Sequence, residues 1–318
     1  MILPASAENV AKAAEYIREG GVVAFPTETV YGLGADAMNP LAVAEVFEIK
    51  ARPSFDPLIV HIIPDWWAEL VTDIPAAARE LAQRYWPGPL TIVLPKTDRV
   101  PDIVTAGLPS VAVRVPHHAV AQALITTAGC PIAAPSANPF GYISPTTAAH
   151  VDAQIGARVP IILDGGPCTV GVESTIVSFV DPRPALLRPG GVPIEAIEAI
   201  VGPLRIATSA RQPVAPGQLP RHYAPRTPLT LVRTVADIPL AARGAAALLL
   251  PFPSVEISGF ARVETLADRE DLRQVAANLF AALRRLDTGT YARIYAVGVP
   301  ERGLGHAIMD RLRRAANP

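Results

Sequence analysis

Apolar residues recur with two different spacings in the first two hundred positions, and these spacings predict helices mixed with strands. Ser6 can cap a helix that runs to about Glu19, because the apolar residues at 10, 13, 14 and 17 fall on one helical face. Further helices are predicted over residues 41–50, 76–85 and 119–128. Short apolar runs predict buried strands over residues 22–25, 57–63, 90–94, 111–115, 131–134, 159–163, 175–179 and 185–188. This interleaving predicts an α/β or mixed α+β fold.

The pattern changes after residue 207. Residues 208–227 are rich in proline and have no apolar period, which predicts an extended linker between a domain of residues 1–207 and a smaller one of residues 228–318. In the smaller domain, strands are predicted over 229–232, 246–250 and 294–299, and helices over 271–286 and 304–315, which is typical of a small doubly wound, Rossmann-like unit. The linker also contains Arg221-His222-Tyr223, which indicates a loop that folds over something.

Composition and charge narrow the class of protein. The 318 residues have a formal net charge of −1, so no global field attracts nucleic acid or an anionic membrane. Residues 1–207 carry 13 basic and 20 acidic side chains, whereas residues 208–318 carry 15 arginines and 9 acidic side chains. The two parts could dock through this difference, the basic part could face an acidic partner, or the difference could merely reflect an arginine-rich composition.

Two cysteines give neither a disulfide framework nor a metal-type spacing. The first residues lack the features of a secretory signal, and no apolar run approaches the length that a membrane-spanning helix needs. We therefore expect a soluble cytoplasmic protein.

Several familiar motifs are absent or mismatched. The sequence contains no P-loop and no Gly-x-Ser-x-Gly elbow, and its six histidines do not have the spacing of a zinc-binding helix. Residues 32–37, Gly-Leu-Gly-Ala-Asp-Ala, match the loose dinucleotide pattern, but Pro26 and several polar residues separate them from the preceding strand. We therefore expect Gly32 and Gly34 to permit a tight turn instead.

Two short segments have the chemistry of a polyphosphate site. Lys50-Ala51-Arg52-Pro53 places two cations two residues apart, in a chain with only three lysines against 25 arginines. A compact ammonium beside a planar guanidinium suits a polyphosphate, although cations at a solvated helix end are also common. Pro135-Ser136-Ala137-Asn138 places two small polar side chains directly after an apolar run.

Other candidate residues are more ambiguous when taken singly. Arg114 lies within an apolar strand, where it either reaches a solvated face or binds an anion, and a carboxylate is slightly favoured. His61 ends a strand and could be an ordinary hydrogen-bonded core histidine. Ser174 could bind a ligand or cap a turn, and Arg188 before a glycine turn could serve stacking or phosphate binding.

Taken together, these segments resemble the threonylcarbamoyl-AMP synthase family in its long two-domain form. Nine segments match in order, at residues 25–34, 50–53, 57–61, 86–91, 114–116, 135–138, 144–146, 173–175 and 188–190, and linker residues 221–225 match the long form. The resemblance implies a YrdC-like N-terminal domain, in which a twisted mixed sheet and helices form a deep positive cleft, and a small Rossmann-like C-terminal domain.

The resemblance also implies a nucleotidyltransferase. The family joins L-threonine, bicarbonate or carbon dioxide, and ATP, and it releases pyrophosphate and threonylcarbamoyl-AMP. Other proteins, the transfer machinery, then pass the threonylcarbamoyl group to an adenosine of tRNA, giving t6A. Transfers of this kind depend on positioning and charge neutralisation.

By the resemblance, Lys50 and Arg52 are catalytic and hold the ATP phosphates with Mg²⁺. The other nucleotide-binding residues would be Asp56, Ser110, Ser136, Asn138, Ser144, Arg188 and Tyr223, with Tyr223 closing from the linker. The threonine-binding residues would be Thr29, His61, Arg114, Ala134 and Ser174, with Arg114 on the carboxylate.

Three positions depart from the residues that the family usually has, and the one in the linker is Pro220, where an aromatic residue is more usual. Ala51 stands where glycine is usual, which implies a stiffer loop. Asp56 stands where asparagine is usual, and because a carboxylate repels triphosphate unless a cation bridges them, Asp56 either contacts nucleotide or is a partner of Mg²⁺. Two other hypotheses remain: an RNA-binding module, which the net charge and the lack of interleaved aromatics disfavour, and an enzyme of the same fold with a different carbamoyl acceptor.

Overall fold

The computed structural model describes residues 1–206, 215–217, 222–254 and 257–317. Strands of the first part are β1 (Ile2–Pro4), β2 (Val23–Phe25), β3 (Gly32–Asp36), β4 (Ile59–His61), β5 (Leu90–Pro95), β6 (Ser110–Arg114), β7 (Ile132–Ala133), β8 (Ile161–Asp164), β9 (Thr175–Ser178), β10 (Ala185–Arg188) and β11 (Arg205–Ile206). Helices of this part are α1 (Ala7–Arg18), α2 (Pro40–Lys50), α3 (Trp67–Leu70), α4 (Ala76–Tyr85), α5 (Asp102–Thr105), α6 (Ala119–Ala128), α7 (Ala148–Ile155) and α8 (Ile194–Val201), with short 3-10 turns at Pro64–Trp66 and Gly156–Arg158.

The predicted helices and strands of this part are largely confirmed. Ser6 accepts a hydrogen bond from the amide of Asn9 and so caps α1, and the apolar face of that helix is buried as its spacing predicts. This face packs against α6 in a cluster of aliphatic side chains beneath β2 and β8. The sequence analysis missed β1, α7 and α8.

The eleven strands form one mixed sheet, in the order β1-β8-β2-β3-β7-β4-β6-β5-β9-β10-β11. Strand β4 runs parallel to β6, and its register places His61 opposite Arg114. Strand β7 pairs antiparallel with both β3 and β4, so the loop after β7 starts beside them. The middle of the sheet therefore brings together four segments that are far apart in the sequence.

The two glycines of β3 lie in a strand, so the predicted tight turn is wrong. A β-carbon on Gly34 would lie 2.5 Å from a ring carbon of Phe25 and 2.6 Å from the Cγ2 of Ile132. Gly34 is therefore required by close packing of side chains from both sides of the strand, not by turn geometry.

The second part of the chain has its own sheet. Strands β12 (Leu229–Val232), β13 (Ala246–Leu250), β14 (Arg262–Thr265) and β15 (Arg293–Val297) pair in parallel in the order β12-β15-β13-β14. Helices α9 (Leu240–Arg243), α10 (Leu272–Leu286) and α11 (Gly305–Ala316) pack with them, and a 3-10 turn occupies Val235–Asp237. The parallel order with crossover helices matches the predicted Rossmann-like unit.

The two parts share an apolar interface. One core cluster joins Tyr223 and Phe280 to residues of the first part, including Val30 and Val172. The last strand of the first sheet ends at Ile206, and the first strand of the second sheet begins at Leu229. Residues 207–214 and 218–221, which include most of the predicted linker and Arg221, lie outside the described residues.

None of the helices in the described ranges is long and apolar enough to cross a membrane.

Candidate functional site

A cavity lies beside β4, the end of β6 and the loop after β7, and residues 216–217 and 222–223 of the linker also line it. Its lining comprises Thr27, Thr29, Val30, Gly32, Arg52, Ile59, His61, Arg114, Ala134, Pro135, Ser136, Glu173, Ser174, Arg188, Pro216, Gly217, His222 and Tyr223. The lining combines three arginines with hydroxyl groups, which suits an anionic, polar ligand.

Arg114 and His61 lie side by side at one part of the wall. Arg114 is buried, its Nη2 lies 2.7 Å from Oε1 of Glu28, and its Nε donates to the carbonyl oxygen of Gly88 at 3.2 Å. Burial and the neighbouring Arg114 lower the pKa of His61 to about 3. His61 is therefore neutral at physiological pH, and its Nδ1 has no hydrogen-bond partner among the described residues. A buried nitrogen of this kind can bond a polar group of a ligand.

Arg52 is held by the loop that follows it. Its Nη2 contacts Oδ2 of Asp56 at 2.9 Å and donates to the carbonyl oxygen of Pro57 at 2.9 Å, while its Nε donates to the backbone of Asp56. Burial raises the pKa of Asp56, and the Arg52 guanidinium opposes that rise. Asp56 therefore faces Arg52, which fixes the direction of the guanidinium beside the cavity. Ala51, at the end of α2, has φ of 50°, a left-handed conformation that explains why glycine suits this position.

Lys50 binds backbone, not the cavity. Its side chain is buried, and its Nζ donates to the carbonyl oxygens of Ser136 and Asn138, at 2.5 Å each. Burial, with Arg52 nearby, lowers the pKa of Lys50 well below its ordinary value. Lys50 thus ties the end of α2 to the loop that presents Ser136 to the cavity.

Arg188 and the linker meet at the opposite part of the wall. Nε and Nη2 of Arg188 donate to the carbonyl oxygen of Ser174, and Nη2 also donates to its hydroxyl at 3.2 Å. Nη1 donates to the carbonyl oxygen of Pro216 at 3.2 Å. The linker therefore lies against the arginine, and the phenol oxygen of Tyr223, which is buried, has no hydrogen-bond partner among the described residues.

The structure brings many of the predicted site residues to one cavity. Those that line it are Thr29, Arg52, His61, Arg114, Ala134, Ser136, Ser174, Arg188 and Tyr223. Those that lie outside its wall are Lys50, Asp56, Ser110, Asn138 and Ser144. Ser144 donates to Oε1 of Glu173 at 2.6 Å, so it reaches the cavity through that carboxylate. Ser110 begins β6 and pairs with Pro95, at the opposite end of the strand from Arg114.

Three charged residues of the site were missed by the sequence analysis. Glu28 and Glu173 lie within the matched segments, but only their neighbours were assigned roles. Arg311 lies in α11, where its spacing of seven residues from Leu304 places it beside the predicted apolar stripe. A charged residue on an apolar helical face is the sequence signal that could have identified Arg311.

The residues present do not form a protein site for a metal ion. Within residues 1–206, 215–217, 222–254 and 257–317, no group of three or more histidine, cysteine, aspartate or glutamate side chains could hold one. The carboxylates of Asp56, Glu28 and Glu173 each face an arginine. Asp56 is thus not arranged as a metal ligand.

Comparison with known proteins decides the family. A family model for Sua5, YciO and YrdC proteins, described as "Telomere recombination", matches residues 15–190. A second model, described as "Threonylcarbamoyl-AMP synthase, C-terminal domain", matches residues 192–317. The threonylcarbamoyl-AMP synthase of Pyrococcus abyssi is 44% identical over 96% of this chain and 93% of its own length. The chain belongs to the threonylcarbamoyl-AMP synthase family.

Two further relatives agree with this assignment. The threonylcarbamoyl-AMP synthase of Bacillus subtilis is 43% identical and covers 97% of this chain and 93% of its own length. The crystal structure of P. abyssi Sua5 complexed with L-threonine superposes with a TM-score of 0.92 at 40% identity, covering 99% of this chain and 97% of that one. The predicted family and its YrdC-like fold are thereby confirmed, and the relatives' names favour the synthase over both alternatives.

Proposed function

We propose that this cavity binds L-threonine and ATP side by side, and that the protein condenses them with bicarbonate or carbon dioxide to threonylcarbamoyl-AMP. The relatives at 44% and 43% identity are named for this product, and the P. abyssi structure is complexed with L-threonine. The observation that carries the proposal is that Arg52, Arg114 and Arg188 converge on one cavity. A carboxylate and a row of phosphates are the anions that such a set binds.

Threonine suits the part of the cavity around Arg114. The Arg114 guanidinium can bind the carboxylate of threonine through the N–H groups that do not contact Glu28 or Gly88. The neutral imidazole of His61 can accept a hydrogen bond from the amino group, and the hydroxyl of Thr29 lies on the same wall. Thr29 is itself oriented by a hydrogen bond of 2.8 Å to the hydroxyl of Thr27. A neutral histidine there does not oppose the loss of a proton from the amine, which carbamate formation requires.

The nucleotide suits the part between Arg52, Ser136 and Arg188. Arg52 is fixed by Asp56 and Pro57, so it offers a charge that needs no reorientation when phosphate binds. Lys50 supports this part indirectly, because it holds the loop of Ser136. Mg²⁺ would arrive with ATP as part of the substrate, and its charge would neutralise part of the triphosphate.

The reaction forms one carbon–nitrogen bond and transfers one adenylyl group from ATP to a carbamate oxygen. The neutral amine of threonine adds to the carboxyl carbon of bicarbonate or to carbon dioxide, and water leaves when bicarbonate is used. A carbamate oxygen then attacks the α-phosphorus, the bond to the β-phosphate breaks, and pyrophosphate leaves. The residues of the cavity position the two anions and stabilise charge, and no covalent nucleophile is needed. Transfer of the product to tRNA by other proteins, and a cytoplasmic location, follow from the same proposal.

The direct test measures pyrophosphate release with L-threonine, bicarbonate and ATP, each omitted in turn. We expect release to require all three, and release that is indifferent to threonine would contradict the proposal. Arg114→Lys keeps a positive charge beside Glu28 but loses the planar fork. It should raise the KM for threonine by about tenfold, the loss of one charged hydrogen bond, and leave the KM for ATP nearly unchanged.

Arg99→Gln is the matched control, because Arg99 makes an exposed ion pair with Glu69 at 2.6 Å. An exposed pair contributes little, so this variant should show the kinetics of the wild type. Equal changes in both variants would show that the effect at Arg114 does not come from the cavity.

A further inference from the structure

One arginine of the C-terminal domain is buried against the cavity wall. Arg311 lies in α11, and its side chain has no solvent exposure. Its Nε donates to Oε2 of Glu173 at 2.7 Å, and its Nη1 donates to Asp310 at 2.6 Å. Glu173 belongs to the cavity lining, so a residue of the second domain directly holds a residue of the first.

The same guanidinium also contacts the linker. Its central carbon lies 4.9 Å from the ring centre of Tyr223, which is the geometry of a cation–π contact. The Tyr223 ring is stacked on Phe280 of α10, with ring centres 5.6 Å apart and planes inclined by 26°. Helices α10 and α11 of the second domain therefore both contact Tyr223, which lines the cavity. Tyr223 has φ of 61°, so its backbone is held in a left-handed conformation that a non-glycine residue rarely adopts.

Glu173 links Arg311 of the second domain to Ser144 of the first domain. Its Oε1 accepts a hydrogen bond from Ser144 at 2.6 Å while its Oε2 faces Arg311. Burial alone would raise the pKa of Glu173, but Arg311 and Arg188 lower it below its ordinary value, so the carboxylate stays ionised. An ionised, buried carboxylate without Arg311 would be strongly destabilised, and its orientation toward Ser144 would be lost.

We infer that Arg311 is a positioning residue of the synthase site: it fixes Glu173 and the ring of Tyr223 together, so that the second domain sets the nucleotide-binding part of the cavity. This inference rests on the proposed function. It gives the C-terminal domain a role in the reaction, since α11 holds Glu173 and Tyr223, which both line the cavity. Nη2 of Arg311 has no hydrogen-bond partner among the described residues, so both of its N–H donors remain, and packing does not explain them.

The test uses the full chain and compares Arg311→Gln and Arg311→Lys with Arg313→Gln. Arg313 lies on the same helix and makes an ion pair with Glu301 at 2.5 Å, with about half of its side chain exposed. Apparent KM values for ATP and for threonine are measured by pyrophosphate release, and thermal unfolding is measured for each protein. We expect both Arg311 variants to raise the KM for ATP by about tenfold and to change the KM for threonine by less than about twofold. Arg313→Gln should match the wild type.

Arg311→Lys decides the outcome if Arg311→Gln does not fold. Lysine keeps a positive charge beside Glu173, but it cannot place a planar face on Tyr223 while it bonds the carboxylate. A wild-type KM for ATP in the folded lysine variant would overturn the inference, and so would an equal rise in both KM values, which would indicate a general structural role. If the wild type and Arg313→Gln release no pyrophosphate that depends on threonine, the proposed function itself fails, and this result is distinct from the other two.

Discussion

Replacement of Lys50 by methionine tests whether this lysine supports the cavity or binds phosphate directly. Methionine keeps the length and the apolar contacts of the side chain but removes every donor. In the structure the Nζ of Lys50 donates to the carbonyl oxygens of Ser136 and Asn138, at 2.5 Å each. Its low pKa does not weaken this role, because a neutral amine still carries two N–H groups, enough for both bonds.

The cost follows from the two carbonyl groups. A buried polar group that loses its partner costs about 1–3 kcal/mol, and two such groups lose theirs in Lys50→Met. The burial that lowers the pKa of Lys50 shows that the ammonium itself is poorly solvated, so its removal recovers part of that cost. We therefore expect the free energy of unfolding to fall by about 2–4 kcal/mol.

The assay is urea-induced unfolding followed by tryptophan fluorescence. All three tryptophans, Trp66, Trp67 and Trp86, lie in the first part of the chain, so the signal reports unfolding of that part. Lys96→Met is the matched control, because its Nζ also donates to a carbonyl oxygen, that of Val100 at 2.7 Å, but its other partner is the exposed Asp102. The control should lose about 1 kcal/mol or less.

A wild-type free energy of unfolding in Lys50→Met would refute this reasoning. If that variant also lost pyrophosphate release, Lys50 would act on the phosphates as the sequence alone predicts. A large loss of stability with the KM for ATP unchanged in the folded fraction would assign the lysine to the scaffold.

Two other predictions concern the linker and pH. Gly217→Ala should weaken ATP binding, measured by calorimetry, because a β-carbon at this position would lie 2.6 Å from the phenol oxygen of Tyr223. Gly129→Ala is the control for backbone strain, because Gly129 has φ of 70° and a β-carbon there would meet nothing within 4 Å. Equal ATP affinities in the two variants would contradict the prediction. The pKa of His61 falls from 6.5 to about 3 on folding, so below about pH 6.5 the unfolded chain binds a proton that the buried imidazole does not, and stability is lost as pH decreases. Between about pH 6.5 and pH 5, the free energy of unfolding measured with denaturant should decline less steeply in His61→Gln than in the wild type, by up to about 1.4 kcal/mol per pH unit. The raised pKa of Asp56 acts in the opposite direction, but Asp56 is common to both proteins. Identical slopes in the two proteins would count against a neutral His61.

Local signals in the sequence predict most of the fold. The helix α1 is predictable because its cap and its apolar face are local features. The first strand, Ile2–Pro4, is not predictable in this way, because it is defined by parallel pairing with Ile162 and its neighbours. Gly34 was misjudged for a similar reason, since the side chains that exclude a β-carbon come from two other strands.

The site was predictable as a set of segments but not as a set of contacts. The spacing of Lys50 and Arg52 predicts two cations near one ligand, yet the structure directs Lys50 to backbone carbonyls and only Arg52 to the cavity wall. Lys50 is the last residue of α2 and Ala51 has a left-handed conformation, so Arg52 lies outside the helix that carries Lys50. Which of the two faces the ligand depends on the loop of Ser136, and nothing in the sequence near Lys50 reveals that loop.

The balance of buried charge at the cavity explains why these groups occur together. The buried arginines at or beside the wall are Arg52, Arg114, Arg188 and Arg311. The buried carboxylates are Glu28, Asp56 and Glu173, and each contacts one of the arginines. The carboxylates reduce the cost of burying so many cations, but they leave an excess of positive charge. Mg²⁺-bound ATP brings a net negative charge that offsets this excess, whereas zwitterionic threonine brings none. Occupation of the nucleotide part should therefore raise the midpoint of thermal unfolding more than occupation of the threonine part, since only the nucleotide reduces the repulsion among these cations.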